Sequence, residues 1–193
     1  MENWINYLTV TLLTVALFGL ILADSRRITV IAYGVVVLLL FSINIQFWSF
    51  GFALSKLLTG IMAMLILALT PTEETNVTSI NPGTGRIFNI VSFGFCIILV
   101  LFTINRTSGF LAIELDQSIP ALLILLCGFI LLGISQESYR IIIGLLTVLI
   151  GFEVLYSAIE QSLLINGLLT AVELLIALVG SYLLTPINEG EEE

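Results

Sequence analysis

Apolar residues fill seven long blocks of this chain, and short polar breaks separate the blocks. A helix that crosses a bilayer needs about 17–25 mostly apolar residues, and each block reaches or nearly reaches that length. The blocks do not alternate polar and apolar positions, as the strands of a membrane barrel do. The pattern therefore predicts an all-α, polytopic membrane helix bundle of about seven transmembrane helices. The blocks are Ile5–Ala23, Ile28–Phe47, Phe50–Leu69, Ile87–Ile104, Ile119–Ser135, Ile141–Ile159 and Leu163–Leu184.

The lengths of the polar breaks predict how the helices connect. The breaks at Gln46–Phe50 and Glu160–Ser162 are so short that the helices beside each are expected to form antiparallel hairpins. The break at Pro71–Gly85 is the one long enough to hold structure of its own. Pro82 falls outside the apolar blocks, and Pro120 falls at a predicted helix start, where proline is tolerated.

A weak internal repeat appears at an offset of about 115 residues. FSINIQ at Phe41–Gln46 aligns with YSAIEQ at Tyr156–Gln161, and LTP occurs at both 69–71 and 184–186. Helices 1–3 then match helices 5–7 in parallel, an architecture known in membrane proteins. The predicted organisation is a three-helix unit at 1–70, then a loop, linker helix and loop at 71–118. A second three-helix unit follows at 119–186, with an acidic tail at 187–193.

The composition supports a membrane protein. The chain is 59% hydrophobic and 10% charged, and it has no histidine, whereas a soluble domain carries about 25% charged residues. Four of the 14 acidic residues stand in the tail NEGEEE, which is expected to be a solvated end. The six basic residues are scattered and form no basic patch, so nucleic acid is not an expected partner.

The arginines predict the orientation of the chain in the membrane. The breaks after helices 1, 3 and 5 hold Arg26, Arg27, Arg86 and Arg140, whereas the opposite side holds Arg106. The positive-inside rule then places the N-terminus outside and the C-terminal tail in the cytoplasm. The first block lacks the basic start and the cleavage site of a signal peptide, so it is expected to be retained as a helix.

Three ionisable residues lie inside predicted helices: Lys56, Glu153 and Glu173. A charge at the centre of a membrane helix costs roughly 2.5–3.5 kcal/mol on insertion scales. Such residues usually face a bundle interior, a polar cavity or an ion path. The helix lengths predict that both carboxylates lie near the midplane, at depths that differ by roughly one helical turn.

Each of these charges lies on a stripe of polar and small residues with helical spacing. Small residues mark the faces on which membrane helices pack closely. Glu160, at the turn between helices 6 and 7, is expected to be a solvated helix end. The stripes are Ser49, Phe52, Lys56, Thr59 and Ala63 on helix 3; Glu153, Tyr156, Ser157 and Glu160 on helix 6; and Thr170, Glu173, Ala177, Gly180 and Ser181 on helix 7.

Buried carboxyl groups and a buried lysine can hold and release protons, because burial and neighbouring charges change their proton affinity. This chemistry suits a proton relay through a dry bundle. Alternatively, the charges only pair with neighbouring subunits and fix an assembly. Cys96 and Cys127 lie in apolar blocks and are expected to be small buried hydrophobes. The sequence has no metal-ligand set, phosphate loop or nucleophile–base pair, so we expect no cofactor, no metal and no catalysis by this chain alone.

Two segments resemble a known family. LIGFEVLYSA at Leu149–Ala158 and AVELLIALVGSYLL at Ala171–Leu184 resemble the two glutamate segments of the small K-type (4L) subunit of complex I. The same three-helix unit recurs in the C subunit of Mrp-type cation/proton antiporters. The length of this chain and the lysine in FALSKLLTGIMAMLIL at Phe52–Leu67 resemble component E of the hydrogenase-4 group more closely. The helix 6–7 connection is shorter here than in the complex I subunit, and VLYSA follows Glu153 where the family carries an Asn.

The resemblance implies a membrane-arm subunit of a complex I-like, redox-driven assembly in a bacterial or archaeal plasma membrane. Its partners would be antiporter-like and other membrane subunits. The resemblance also implies that Glu153 and Glu173 carry protons, and that Lys56 is a relay partner or a charge that tunes them. Two interpretations stay open beside it. One is a self-contained transporter of an ion or small solute, although the helices lack the mid-membrane Gly/Pro interruptions of such sites. The other is an assembly scaffold.

Overall fold

The computed structural model describes residues 2–23, 25–47, 49–71, 82–107, 115–160 and 162–185. Within these ranges the chain forms seven α-helices and no strand, so the predicted all-α helix bundle is confirmed. The helices are α1 Glu2–Leu22, α2 Arg26–Phe47, α3 Phe50–Leu69, α4 Pro82–Thr107, α5 Leu115–Ile134, α6 Ser138–Ile159 and α7 Leu163–Leu184.

Five of these helices are long and apolar enough to cross a membrane: α2, α3, α4, α6 and α7. The apolar stretches found in α1 and α5 are shorter, Leu8–Leu22 and Ser118–Ile134. Large apolar side chains are exposed along α4 and α7, as at Phe95 and Leu175. Such faces suit a lipid environment, and the protein is an integral membrane protein.

Two prolines lie in helices where the sequence predicted otherwise. Pro82 is the first residue of α4, although it was expected in the loop at Pro71–Gly85. Its fixed φ and missing N–H suit that first helical position. Pro120 lies inside α5, because the helix begins at Leu115 and not at the apolar block. Proline there removes one backbone donor, and the polar residues before Pro120 extend the helix beyond the apolar block.

The helices form two layers and one additional helix. In the first layer α1 packs on α2 and α2 on α3; in the second, α5 packs on α6 and α6 on α7. The layers meet through α1 and α5, α2 and α6, and α3 and α7, while α4 packs on α1 and α5. The helices α2, α3, α7 and α6 therefore form a closed ring in which each helix packs on the next. The division into duplicated units stays a prediction.

Glycines bring α5 and α6 into close contact. A Cβ atom on Gly151 would lie 2.5 Å from the backbone nitrogen of Leu125, and one on Gly128 would lie 2.7 Å from that of Val148. At both positions the two backbones approach so closely that a side chain does not fit without movement. This is the close packing that small residues allow between membrane helices.

Arginines stabilise helix ends at one end of the bundle, which we call the arginine end (Arg26, Arg27, Arg86 and Arg140). Arg26 on α2 donates to the carbonyl oxygens of Leu67, at 2.8 Å, and of Thr70, which closes the C-terminus of α3. Arg140 on α6 donates to the carbonyl oxygen of Ile21 at the end of α1, at 2.9 Å. A cation near a helix C-terminus interacts favourably with the helix dipole.

Candidate functional site

The ring of α2, α3, α6 and α7 encloses a polar cluster. All three ionisable residues predicted as site residues, Lys56, Glu153 and Glu173, line one cavity of about 30 Å³. Asn44 on α2 lines the same cavity, whose walls are otherwise mostly apolar. Glu153 and Glu173 are only 4% and 2% exposed, so neither carboxyl group is a surface charge. The predicted stripes of α3, α6 and α7 thus bring their charges to one place.

Lys56 bridges α3 to α6 and α7. Its ammonium group forms an ion pair with Oε1 of Glu153. It also donates to Oγ1 of Thr170 at 2.5 Å and to the carbonyl oxygen of Asn166 at 3.4 Å. The side chain of Lys56 is 10% exposed, so the pair is largely removed from solvent and lipid. The pairing and the hydrogen bonds offset part of the desolvation cost of burying these charges.

Glu173 has a different partner. The hydroxyl group of Tyr33 on α2 donates to Oε1 of Glu173 at 3.4 Å, and Tyr33 is 1% exposed. The two glutamates are therefore not equivalent, because one is paired with a cation and the other is bonded to a neutral hydroxyl. Lys56 lies between them on the third side of the cavity.

Two buried asparagines extend the cluster toward the end opposite the arginines. Asn166 lies two turns before Glu173 on α7; it is 2% exposed, and both polar atoms of its side chain lack a hydrogen-bond partner. Asn44 lies close to the end of α2 and is also buried. Buried amides are normally satisfied by protein or ordered water, so the position of Asn166 suits a hydrated region.

Toward the arginine end the facing sides of α3 and α7 become apolar. Ala63 and Leu67 on α3 and Ala177 on α7 are all buried, and they follow the same helix faces as Lys56 and Glu173. Beyond them the hydroxyl groups of Thr70 and Ser181 are 2.6 Å apart. The polar cluster is thus separated from the arginine end by a layer that we call the apolar layer (Ala63, Leu67 and Ala177).

The depths of the charged groups follow from the helix bounds. Counted from the arginine end, Glu173 lies roughly 16 Å along α7 and Glu153 roughly 22 Å along α6 at a rise of 1.5 Å per residue. The difference is about one helical turn, as the sequence predicted. Lys56, roughly 20 Å along α3, lies between these two depths, which explains how one ammonium group reaches across the ring.

Comparison of the chain with protein-family models, with curated proteins and with solved structures finds no match. The resemblance to the K-type subunit of complex I and to component E of the hydrogenase-4 group therefore stays a prediction.

The other residues considered in the sequence have simpler surroundings. Glu160 is exposed at the C-cap of α6, where its carboxylate accepts from the hydroxyl of Tyr156 at 3.1 Å, so it is a helix end. Cys96 and Cys127 are both buried and free, and their sulfur atoms are 3.8 Å apart. Both behave as small core residues in contact across α4 and α5.

The sequence did not indicate that Tyr33, Asn44 and Asn166 belong to this region. Asn44 and Asn166 carried a usable signal, since an amide inside an apolar block is costly unless it has a role. Tyr33 carried no such signal, because a tyrosine in an apolar helix is equally suited to a membrane interface.

Proposed function

We propose that the protein is a membrane-arm subunit of a complex I-like, redox-driven complex that translocates protons or other ions. In this proposal Glu153 and Glu173 pass protons through the bundle, with Lys56 as the relay group between them. The supporting observation is that three largely buried ionisable side chains from three helices, Lys56, Glu153 and Glu173, line one cavity. Polar groups inside membrane helices usually mark ion pathways and proton relays.

The chemistry of the cluster suits proton transfer. A proton can move from the ammonium group of Lys56 to Glu153, which breaks an N–H bond and forms an O–H bond without changing the net charge of the pair. The cavity has room for about two water molecules, which can connect Glu153 to Glu173. Neighbouring antiporter-like subunits would supply and accept protons at the two ends, and the arginine end would face the cytoplasm.

The clearest test is Glu173→Gln, because its hydrogen-bond partner is a neutral hydroxyl and no ion pair is broken. We expect a complex of normal composition whose proton or cation translocation, measured in energised membrane vesicles, falls at least tenfold. Glu153→Gln should lower translocation to the same extent. The complex should still assemble, because the ammonium group of Lys56 keeps Thr170 and Asn166 as acceptors. Glu160→Gln, at the exposed helix end, is the matched control and should retain normal translocation. Normal translocation in Glu173→Gln and Glu153→Gln would exclude the relay.

A self-contained ion transporter is the second candidate, because described residues of one chain line the cavity and include two carboxyl groups and one ammonium group. Gentle purification of the tagged chain, with mass spectrometry of the proteins that accompany it, separates the two candidates. Antiporter-like membrane subunits with hydrogenase-like or quinone-reducing proteins would support the complex. A stable protein that purifies alone would support the transporter.

A further inference from the structure

We propose that Lys56 makes the relay selective for protons, because its ammonium group occupies an oxygen-lined position that would otherwise bind Na⁺ or K⁺. This inference rests on the proposed function and adds the residue that determines which ion is excluded. It concerns the position of the Lys56 ammonium group, which is surrounded by α3, α6 and α7.

The atoms around the ammonium group are those that bind hard monovalent cations. They are a carboxylate oxygen of Glu153, the hydroxyl oxygen of Thr170 and the backbone carbonyl oxygen of Asn166. Carboxylate, hydroxyl and carbonyl oxygens are the ligands that hard metal cations prefer. The three come from two helices and converge on one point.

The hydroxyl group of Thr170 is oriented as a ligand. Its hydrogen is directed to the carbonyl oxygen of Asn166, at 2.8 Å, so its lone pairs are left for the ammonium group of Lys56. A hydroxyl group has one donor and two acceptor sites, and here the donor is already used. Replacement of the ammonium group by a metal ion would require no change in the direction of this bond.

The adjoining cavity provides the remaining space. Its volume is about 30 Å³, and its lining includes Lys56 together with Glu153, Glu173 and Asn44. A void of this size holds about two water molecules, which would complete the ligand shell of a small cation. A metal ion without Lys56 would therefore have three protein oxygens, nearby water and a second carboxylate close to it.

While Lys56 is present, the same position excludes a metal ion. A second unit charge about 4 Å from the ammonium group would be repelled strongly enough to weaken binding by roughly a thousandfold at an effective dielectric constant near 20. Protons are not excluded in this way, since they travel through N–H and O–H bonds and need no empty ligand shell. The positive charge of Lys56 thus excludes alkali-metal ions from this position but still allows proton transfer.

The test is cation binding by the full-length chain purified in nanodiscs. The thermal midpoints of the wild-type protein and Lys56→Met are compared in NaCl, KCl and choline chloride at equal ionic strength. We expect the wild-type midpoint to be the same in all three salts. For Lys56→Met we expect an increase of about 3–6 °C in NaCl or KCl when the cation is near ten times its dissociation constant.

The matched control is the double variant Lys56→Met/Glu153→Gln, which lacks the charged ligand and should show no increase. An unchanged midpoint for Lys56→Met in both alkali salts, or an equal increase in the wild-type protein, would overturn the proposal. If Lys56→Met is folded only when purified in NaCl or KCl, the proposal is supported. If it fails to fold in every salt, the proposal is overturned, since a competent site would hold the fold together.

The two proposals can fail separately. Binding of Na⁺ or K⁺ by Lys56→Met needs no translocation, so it can be positive even when Glu173→Gln translocates normally. That combination would reject the relay and retain the cation position. Loss of translocation in Glu173→Gln without any cation binding by Lys56→Met would retain the relay and reject Lys56 as its selectivity residue.

Discussion

The side chain of Tyr33 combines an apolar ring with a polar hydroxyl group, and the two make different contacts. Its ring packs in the core of the bundle, and its hydroxyl group donates to Glu173. A buried acceptor that loses its donor costs about 1–3 kcal/mol, whereas the ring itself contributes packing that phenylalanine can reproduce. The hydroxyl group is therefore separable from the packing by a conservative substitution.

Tyr33→Phe should lower the free energy of unfolding by about 1–2 kcal/mol, because Glu173 loses its hydrogen-bond donor. Thermal unfolding in detergent measures this as a lower midpoint. Tyr182→Phe is the matched control, since Tyr182 lies 80% exposed on α7 and should change stability by less than about 0.5 kcal/mol. Equal midpoints for Tyr33→Phe and Tyr182→Phe would show that the Tyr33–Glu173 bond does not stabilise the protein.

At the residue scale the sequence identified the charges and not their partners. Lys56, Glu153 and Glu173 are conspicuous because an ionised group in an apolar block is costly. The pairing of Lys56 with Glu153 depends on the packing of α3 against α6 and α7, which the spacing of apolar residues along a single helix does not determine. Asn166 was similarly visible as a polar residue, but its position beside Lys56 was not.

At the scale of elements, the ends of the helices show where hydrophobicity is informative. The bounds of α3 and α7 were predicted to the residue, because each apolar block begins and ends beside a polar break. The predicted α4 was too short at both ends and the predicted α5 too short at its start, since these helix ends extend into polar sequence beyond the apolar blocks. Backbone hydrogen bonds can continue a helix past its apolar block, and the spacing of apolar residues does not show how far the helix continues.

The α5–α6 contact yields a prediction about packing. Gly151→Ala should lower the free energy of unfolding by about 1–3 kcal/mol, because the new Cβ atom would meet the backbone of Leu125. Thermal unfolding of the purified protein measures the effect.

Gly133→Ala on α5 is the matched control for this prediction. A Cβ atom on Gly133 has no other atom within 4 Å, and alanine is the better helix former, so this variant should be unchanged or slightly more stable. A midpoint for Gly151→Ala at or above that of Gly133→Ala would contradict the close approach of the two backbones.

At the scale of the whole molecule, the arginine end predicts the direction of the chain in the membrane. Arg26, at the start of α2, and Arg140, at the start of α6, lie at the same end of the bundle. The start of α4 and the ends of α1, α3 and α7 lie at that end too. The sequence had predicted this common side from the parity of the helices. The closed ring of α2, α3, α7 and α6 was not predictable, because it depends on contacts between distant parts of the chain.

Cysteine labelling tests the orientation. In a background of Cys96→Ser/Cys127→Ser, a membrane-impermeant thiol reagent should label Ser49→Cys in intact cells, since Ser49 is exposed at the end opposite the arginines. Ser25→Cys, exposed at the arginine end, should be labelled only after the cells are permeabilised. The reverse pattern would place the arginine end outside the cell and contradict the positive-inside rule for this chain.

The apolar layer also has a consequence for how a transmembrane voltage would act on the proposed relay. A potential falls mainly across material of low dielectric constant, and moving one elementary charge through 100 mV requires about 2.3 kcal/mol. Ala63, Leu67 and Ala177 form such material between Glu173 and the arginine end, whereas polar groups extend from Lys56 toward the other end. In the proposed relay, a transmembrane voltage would therefore act on a proton as it crosses the apolar layer between Glu173 and the arginine end.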